Sequence, residues 1–150
     1  QSAKNLMELE SIANELGSSV IAASIKIEQE ISLLKEDEKL EYLELLNMDE
    51  PVLNKIIFEG YKLLGLKTYF TAGPKEIRAW TIRDGFTAPN AAGVIHTDFE
   101  RGFIKAEVID FKDFIECSGE SGAKEKGKLR LEGKEYLVKD GDVIHFKFNV

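Results

Sequence analysis

Apolar side chains recur at helical spacing through most of the first 66 residues. Residues 3–16 end at Gly17, a natural helix stop, and residues 26–34 and 35–48 continue the three-to-four-residue repeat. Pro51 fits the first turn of one more helix. The apolar positions that define the first and last of these helices are Leu6, Leu9, Ile12, Ala13, Leu16, Leu53, Ile56, Ile57 and Leu64. The pattern predicts amphipathic helices in this part of the chain.

One short segment breaks the helical repeat. Residues 18–24, SSVIAAS, form an apolar run with a β-branched pair at Val20 and Ile21, and serine stands at both ends. Such a run is typical of a strand buried inside a sheet. The neighbouring strands of that sheet are not found in this sequence, so we expect them to belong to a missing part of a larger domain.

From Lys67 onward the apolar repeat shortens to two, which predicts strands. The strand segments are residues 68–73, 76–82, 103–111, 134–138 and 143–150. Pro89 begins a predicted helix over residues 88–99, and turn residues at 84–85 and 139–142 separate strands. Two strands, a helix and further strands around a long Gly-containing loop give the element order of a β-grasp, ubiquitin-like domain. The predicted fold class is therefore α+β, with a helical N-terminal segment before this domain.

Composition bounds the class of protein. The chain has 150 residues, of which 43% are hydrophobic and 31% charged, as in an ordinary soluble protein of one domain or a small domain with a helical extension. No apolar run approaches the roughly 20 residues that span a bilayer, and the first residues do not resemble a signal peptide. One cysteine and two histidines argue against a disulfide and against a Cys/His zinc site, so no metal site is expected and the cytoplasm is the default location.

Charge is unevenly distributed along the chain. The net charge of the chain is −7. One short stretch is nevertheless positive, because it contains a single acidic residue, Glu125, and four basic ones: Lys124, Lys126, Lys128 and Arg130. This local positive loop could contact phosphates, although a single loop of this kind is more often simply solvated.

Residues 122–129, GAKEKGKL, match the Gly-x-x-x-x-Gly-Lys pattern of a phosphate-binding loop. That loop needs a Ser or Thr hydroxyl for Mg²⁺ after the lysine, and here Leu129 stands in its place. It also needs a strand before it and a helix after it, whereas the residues that follow Gly127 alternate like strands. We therefore interpret the segment as a solvated, basic hairpin loop that does not bind nucleotide.

Longer segments carry a more specific resemblance. Residues 68–82 (TYFTAGPKEIRAWTI), 96–109 (HTDFERGFIKAEVI), 122–136 (GAKEKGKLRLEGKEY) and 138–150 (VKDGDVIHFKFNV) resemble, in order, the C-terminal TGS domain of the YchF/Obg-like ATPase family. Residues 50–70 are similar to the linker helix of that family, and residues 18–34 to the last strand and closing helix of its nucleotide-binding domain. The resemblance implies two parts: residues 1–66, the tail of a P-loop domain with linker helices, and residues 67–150, a TGS domain.

The resemblance also implies a function for a longer parent protein. Family members hydrolyse ATP in preference to GTP, with Mg²⁺, and associate with ribosomes in translation. Their P-loop would lie upstream of Gln1, so we expect this chain to have no catalytic residue and no cofactor of its own. Ala23 and Ser24 would contribute backbone to the base pocket. The implied partners are rRNA or a ribosomal protein, and the upstream nucleotide-binding domain.

Candidate contact residues remain open to two interpretations. Arg78, Arg83, Arg101 and Lys105 could line one exposed face together with the 124–130 loop, or could be solvated. His96, beside Asp98, could contact a ligand or RNA, but a helix-end histidine that bonds to local backbone is favoured. Five aromatic side chains could stack on bases, yet their spacing favours the core: Trp80, Phe99, Phe103, Phe111 and Phe114. Cys117 is expected to be inert.

Three functional hypotheses follow. The leading one is an interaction module that offers a surface to rRNA, to a ribosomal protein or to a regulatory ligand. A second is a purely intramolecular role, in which the TGS sheet packs on the nucleotide-binding domain and regulates it. In the third, residues 122–129 bind nucleotide themselves.

Overall fold

The computed structural model describes residues 2–74 and 76–149. The chain divides into two compact units, Gln1–Leu63 and Leu64–Val150. The first contains helices and the second a five-stranded sheet with short helices, which confirms the predicted α+β class. Val150, which the sequence pattern includes in the last strand, lies outside the described residues.

Four helices form the first unit: α1 (Ser2–Glu15), α2 (Ile25–Leu33), α3 (Glu36–Leu45) and α4 (Val52–Leu63). Gly17 follows α1 with φ +65°, a left-handed conformation that glycine adopts without steric cost. The Glu28 carboxylate accepts hydrogen bonds from the backbone N–H groups of Val52 (2.8 Å) and Leu53 (3.2 Å), which ties α2 to the start of α4. A carboxylate at this position also opposes the positive end of the α4 dipole.

The predicted strand at residues 18–24 is not formed in this chain, and its pairing with strands of a larger domain stays a prediction. The segment has no regular secondary structure, and most of its side chains are exposed. Backbone N–H and C=O groups of a strand need partners in a neighbouring strand. Among the described residues, every strand belongs to the sheet of the second unit, and none pairs with this segment.

The sheet of the second unit has the order β2-β1-β5-β3-β4. Its strands are β1 (Leu66–Ala72), β2 (Ile77–Arg83), β3 (Phe103–Asp110), β4 (Arg130–Glu132) and β5 (Asp142–Phe148). The central strands β1 and β5 are parallel, and every other pair is antiparallel. The helices are α5 (Ala88–Ile95), α6 (Thr97–Arg101), α7 (Phe111–Glu116) and α8 (Glu120–Glu125).

The main core lies between one face of this sheet and α5. It consists of apolar side chains from β1, β2, β3, β5 and α5, together with Val138: Tyr69, Ile82, Ala88, Ala91, Ala92, Phe103, Ala106, Val108, Val138, Ile144 and Phe146. The Tyr69 hydroxyl donates to the Ala91 carbonyl oxygen (2.9 Å), so the one polar atom of this buried ring is satisfied. Alternate residues of β3 and β5 face away from this core.

Two predictions for the region after β3 are wrong. Residues 134–138 were predicted to form a sheet strand, but the short strand is β4, and Leu137 makes only an isolated bridge with Thr87. The segment instead bonds to residues 86–88, and its alternation reflects the burial of Val138 in the core. The predicted strand also extended to Phe111, which begins α7, because the Asp110 side chain accepts from the Lys112 N–H (2.9 Å) and caps that helix.

Candidate nucleic-acid interface

The second face of the sheet presents charged side chains at its centre. Ala106 and Val108 on β3, and Ile144 and Phe146 on β5, point into the main core. The residues between them therefore point to the opposite side. We call this surface the open face; it comprises Lys105, Glu107 and Ile109 on β3, and Val143, His145 and Lys147 on β5.

Helices α7 and α8 form a hairpin that covers one end of the open face. Ile109, Cys117 and Ala123 are buried together there, with Phe114 and Leu129 packed against them. The two helices approach so closely that a Cβ on Gly122 would lie 2.0 Å from the Cys117 carbonyl oxygen. This contact explains why glycine stands at position 122, and it does not involve a phosphate-binding loop.

Residues 122–129 do not form a solvated hairpin loop between strands. The first four belong to α8, and the last four form its C-terminal turn and the approach to β4. Lys124 and Lys126 are exposed, and neither forms an ion pair with any described residue. Lys128 differs, because its Nζ lies 3.1 Å from the Asp113 carboxylate. The hydrogen bond that the Lys128 ammonium donates to Asp113 raises the pKa of Lys128.

Arg130 was predicted to lie on a positive loop that could contact phosphates, but its guanidinium is paired inside the domain. Its guanidinium donates to Glu132 (3.3 Å), to the Tyr136 hydroxyl (3.2 Å) and to Asp142 (3.4 Å). Asp142 is only 2% exposed and accepts further bonds from the Tyr136 hydroxyl (2.7 Å) and the Lys139 N–H (2.8 Å). Because a buried carboxylate is costly unless it is paired, Arg130 has a structural role here.

The predicted single cationic face is not formed. The Arg78 guanidinium lies 4.0 Å from the centre of the Trp80 ring, on the same face of β2 as a residue that packs against the main core. Lys105 lies on the open face, opposite Lys147 on the neighbouring strand. Arg101 is on α6, where it pairs with Asp98 at 3.1 Å. Arg78 and Lys105 therefore point to opposite sides of the sheet.

His96 is exposed and is the N-cap residue that precedes α6. Its Nδ1 accepts a hydrogen bond from the Asp98 backbone N–H at 3.2 Å, which satisfies one of the free N–H groups of the first helical turn. This is the local backbone interaction that the sequence favoured. The geometry gives His96 a capping role, and its ring lies 6.1 Å from that of Phe99.

Ala23 and Ser24 lie in the irregular, exposed segment before α2. The Ser24 hydroxyl accepts from the Ile27 N–H at 3.5 Å and caps that helix. Among the five aromatic candidates, Phe103 is buried and Trp80, Phe99 and Phe114 pack against a core cluster, as expected. Phe111 is the exception, because 46% of it is exposed.

One cluster of possible metal-ligating side chains was not predicted from the sequence. Glu107, Glu120 and His145 each place a carboxylate oxygen or a ring nitrogen within 4.8 Å of the others. They come from β3, α8 and β5. No short motif signals this arrangement, since only the cross-strand register and the α7–α8 hairpin bring the three residues together.

Within the described part of the chain, no helix is long and apolar enough to cross a membrane.

Comparison with curated proteins gives close similarity over most of the chain but only part of each relative. Proteins named "Ribosome-binding ATPase YchF" are 61% identical in Pasteurella multocida (strain Pm70), over 93% of this chain and 38% of the relative, and 56% identical in Escherichia coli O157:H7, over 97% and 40%. The relative of that name in Bacillus subtilis (strain 168) is 52% identical, over 98% and 40%. The chain spans about two fifths of the length of these relatives.

A solved structure agrees with this result. The structure of the Schizosaccharomyces pombe YchF GTPase matches with a TM-score of 0.80 and 39% identity, and covers 95% of this chain and 38% of that one. The family model YchF-GTPase_C, described as a protein of unknown function (DUF933), matches residues 66–149. Since this match includes more than half of the chain, the chain belongs to the YchF-GTPase_C family.

Proposed function

We propose that this chain is the C-terminal part of a longer, cytoplasmic YchF-type protein that hydrolyses a nucleoside triphosphate with Mg²⁺ and binds the ribosome during translation. One observation carries the proposal: identity of 56–61% over at least 93% of the chain to proteins named ribosome-binding ATPases. On this proposal residues 1–66 are the tail of the nucleotide-binding domain with linker helices, and residues 67–150 are a TGS-type interaction module.

The sheet supports a β-grasp assignment for this module. Its first and last strands, β1 and β5, are parallel neighbours at the centre, and each is flanked by an antiparallel strand. Helix α5 packs on one face only. This topology leaves the open face for other contacts.

The geometry of residues 122–129 supports the proposal that this chain, without the rest of the longer protein, does not bind nucleotide. A phosphate-binding loop presents unpaired backbone N–H groups. Here the N–H groups of Ala123, Lys126 and Lys128 donate to carbonyl oxygens of Gly119, Gly122 and Ala123. We expect no binding of Mg-ATP or Mg-GTP tighter than about 100 μM in calorimetry. A tighter complex that Lys128→Ala abolishes would contradict this. Ala23 and Ser24 would contribute to a base pocket only in the longer protein.

An acidic protein can approach rRNA only through local positive charge. Of the predicted contact residues, Lys128, Arg130, Arg78 and His96 already have partners inside the domain. Lys124 and Lys126 are exposed without an ion pair among the described residues, and Lys105 is exposed on the open face. We therefore assign the contact with rRNA chiefly to Lys124, Lys126 and Lys105.

The test is ribosome co-sedimentation of the longer protein across a salt series. Lys124→Ala with Lys126→Ala should weaken binding, and each lost phosphate contact should reduce the slope of log affinity against log salt by about 0.7–0.9. The matched control is Lys134→Ala with Lys139→Ala, two exposed lysines elsewhere in the domain. If both double variants pellet as well as the unaltered protein, rRNA is not contacted through the α8 lysines, and a ribosomal protein becomes the better partner.

Exposed apolar side chains in the first unit favour a second, intramolecular role for this chain. Helix α4 exposes Leu53, Ile56, Ile57 and Phe58, each at 47% or more. Leu53, Ile56 and Ile57 have the i, i+3, i+4 spacing of one helix face, and an exposed apolar face is typical of a surface that packs against another part of a protein. We propose that it packs on the nucleotide-binding domain and couples that domain to the module. Amide exchange in α4 should then be slower in the longer protein than in this chain; equal rates would contradict the proposal.

A further inference from the structure

We propose that Glu107, Glu120 and His145 form a binding site for one divalent first-row transition-metal ion, of which Zn²⁺ is the best probe. The site lies on the open face beside the α7–α8 hairpin. It is separate from the Mg²⁺ that the proposed nucleotide chemistry would use, and it does not depend on that chemistry.

The two strands fix two of the ligands. Glu107 on β3 and His145 on β5 are directly opposite each other in the antiparallel register, so their side chains leave the sheet side by side. Glu107 Oε2 lies 3.9 Å from His145 Nδ1. Glu107 is paired on both sides, with Leu131 on β4 and His145 on β5, and β5 lies between β1 and β3 in the sheet.

The hairpin supplies the third ligand. Glu120 is the first residue of α8, and the position of α8 is set by the buried Ala123 and by the close contact between Gly122 and Cys117. The candidate ligand atoms lie within 4.8 Å of one another. Zn²⁺ binds nitrogen and carboxylate oxygen at about 2.0–2.2 Å, so two ligand atoms on one ion are separated by at most about 4.4 Å. Small side-chain rotations therefore bring all three atoms to a common ion.

The surroundings favour a cation at this point. The three side chains line a cleft whose other walls include apolar residues: Ala72, Ile109, Phe114, Leu129 and Val143. Charge interactions are stronger beside such walls than in open water. Two carboxylates at its rim supply negative charge, and neutral imidazole is a common metal ligand.

The structure already places one cation there, the ammonium group of Lys147. Its Nζ lies 3.2 Å from Glu107 Oε2 and 3.5 Å from each ring nitrogen of His145. Its side chain is 37% exposed, so it can rotate into solvent when a metal ion binds. Lys147 is therefore a competitor for the site, and its removal should strengthen metal binding.

The ligand set indicates the class of ion. One imidazole and two carboxylates suit Zn²⁺, Co²⁺ and Mn²⁺, whereas Mg²⁺ prefers oxygen ligands alone. Three protein ligands also leave a coordination position open for water or for a group from a partner.

The experiment is calorimetric titration of the metal-free 150-residue chain with Zn²⁺, with the His145 ring resonances followed by NMR. We expect one ion per chain and a shift of the His145 signals. Glu120→Gln and His145→Ala should each lower the affinity by about tenfold or more, since loss of even a supporting residue has an effect of this size. Lys147→Met should raise the affinity, and excess Mg²⁺ should not displace Zn²⁺.

Matched controls separate the site from other surface groups. Glu125→Gln changes the same charge on the same helix, and His96→Ala removes the other histidine; both should leave Zn²⁺ affinity unchanged. Thermal melts show whether each variant is folded. The higher Zn²⁺ affinity expected for Lys147→Met cannot result from unfolding, because an unfolded variant would lose the site. Absence of saturable binding in both the unaltered chain and Lys147→Met would overturn the proposal. The proposal would also be overturned if His96→Ala or Glu125→Gln weakened Zn²⁺ binding as much as Glu120→Gln and His145→Ala do.

Discussion

The helices of residues 1–63 and the sheet of residues 64–150 both carry a clear apolar pattern, but only the sheet buries it. Among the described side chains of the first unit, Ile31 and Leu43 are the buried hydrophobic residues. In the second unit, eleven buried residues form one continuous cluster. An amphipathic pattern is therefore sufficient to predict a helix, whereas stability requires a second apolar surface to cover it.

Polar contacts hold much of the first unit together. The Ser19 hydroxyl donates to Glu59 (3.0 Å), Glu28 accepts from the start of α4, and the Tyr42 hydroxyl donates to Glu30. Hydrogen bonds of this kind replace bonds to water, so each adds only about 0.5–1.5 kcal/mol of net stability. The sheet gains instead from apolar burial at about 25 cal/mol per Å².

The largest expected effect comes from separating the two units. Residues 64–150 should fold alone and show a cooperative thermal transition, because their core is complete within that segment. Residues 1–63 should lose helical circular dichroism gradually, without a transition. A non-cooperative melt of the 64–150 piece, or a sharp one for the 1–63 piece, would contradict the comparison.

A matched pair of substitutions makes the same comparison at single residues. Ile144 in the sheet is 2% exposed, and Ile56 on α4 is 47% exposed. Ile144→Ala should lower the free energy of unfolding by about 2–5 kcal/mol, since it leaves a cavity in the core. Ile56→Ala should change it by less than about 0.5 kcal/mol. Denaturant unfolding measures both, and similar losses for the two would show that α4 is better packed than its exposure indicates.

Tyrosine ionisation should make the stability of the second unit depend on pH, an effect smaller than the two above. Burial raises the pKa of Tyr69, and burial together with the hydrogen bond to Asp142 raises the pKa of Tyr136 to about 12. The folded sheet thus keeps these protons when the unfolded chain has lost them. Their contribution to stability is complete below pH 10.0, the ordinary tyrosine value. The contribution of Tyr136 is lost as pH rises to about 12, and that of Tyr69 is lost at higher pH.

Stability of the 64–150 unit should therefore decrease over this alkaline range. The check is denaturant unfolding at several pH values, with tyrosinate absorbance recorded in parallel. Tyr136→Phe should flatten the decrease. A decrease of the same steepness in Tyr136→Phe would assign the effect to other groups.

Local patterns predicted much of the fold. The helices of the first unit, the strands β1, β2, β3 and β5 and the helix that begins near Pro89 all follow from periodicity and turn residues. The α7–α8 hairpin was missed because its helices have six residues each and Phe111, the first residue of α7, continues the alternation of β3. Residues 18–24 have the composition of a buried strand, but a strand forms only beside a partner strand, and the described residues supply none for this segment.

The candidate contacts were harder to predict than the elements. Sequence proximity placed Lys128 and Arg130 beside Lys124 and Lys126, but the fold gives the first two partners at Asp113 and Asp142. These partners lie 12 or more positions away in the chain. The Glu107 and His145 pair likewise depends on strand register, which a single sequence does not specify. Charge that looks free in a sequence is free only when the fold brings no opposite charge to it.

The smallest expected difference concerns surface ion pairs, which both units contain. Lys39 lies 2.6 Å from Glu36 on α3, and Lys128 lies 3.1 Å from Asp113 in the α7–α8 hairpin. Each pair is partly exposed, so solvent and salt weaken it. Lys39→Ala should cost about 0.2–1 kcal/mol, and Lys128→Ala should cause only a small loss of stability. Lys126→Ala, which removes an exposed lysine without an ion pair among the described residues, is the control and should cost less than Lys128→Ala. Urea unfolding at low and high salt measures the Lys128 effect, and helical circular dichroism measures the Lys39 effect. If salt does not reduce the Lys128 loss, the lysine stabilises the hairpin through packing of its methylene groups, and the two units then differ in their surfaces as well as in their cores.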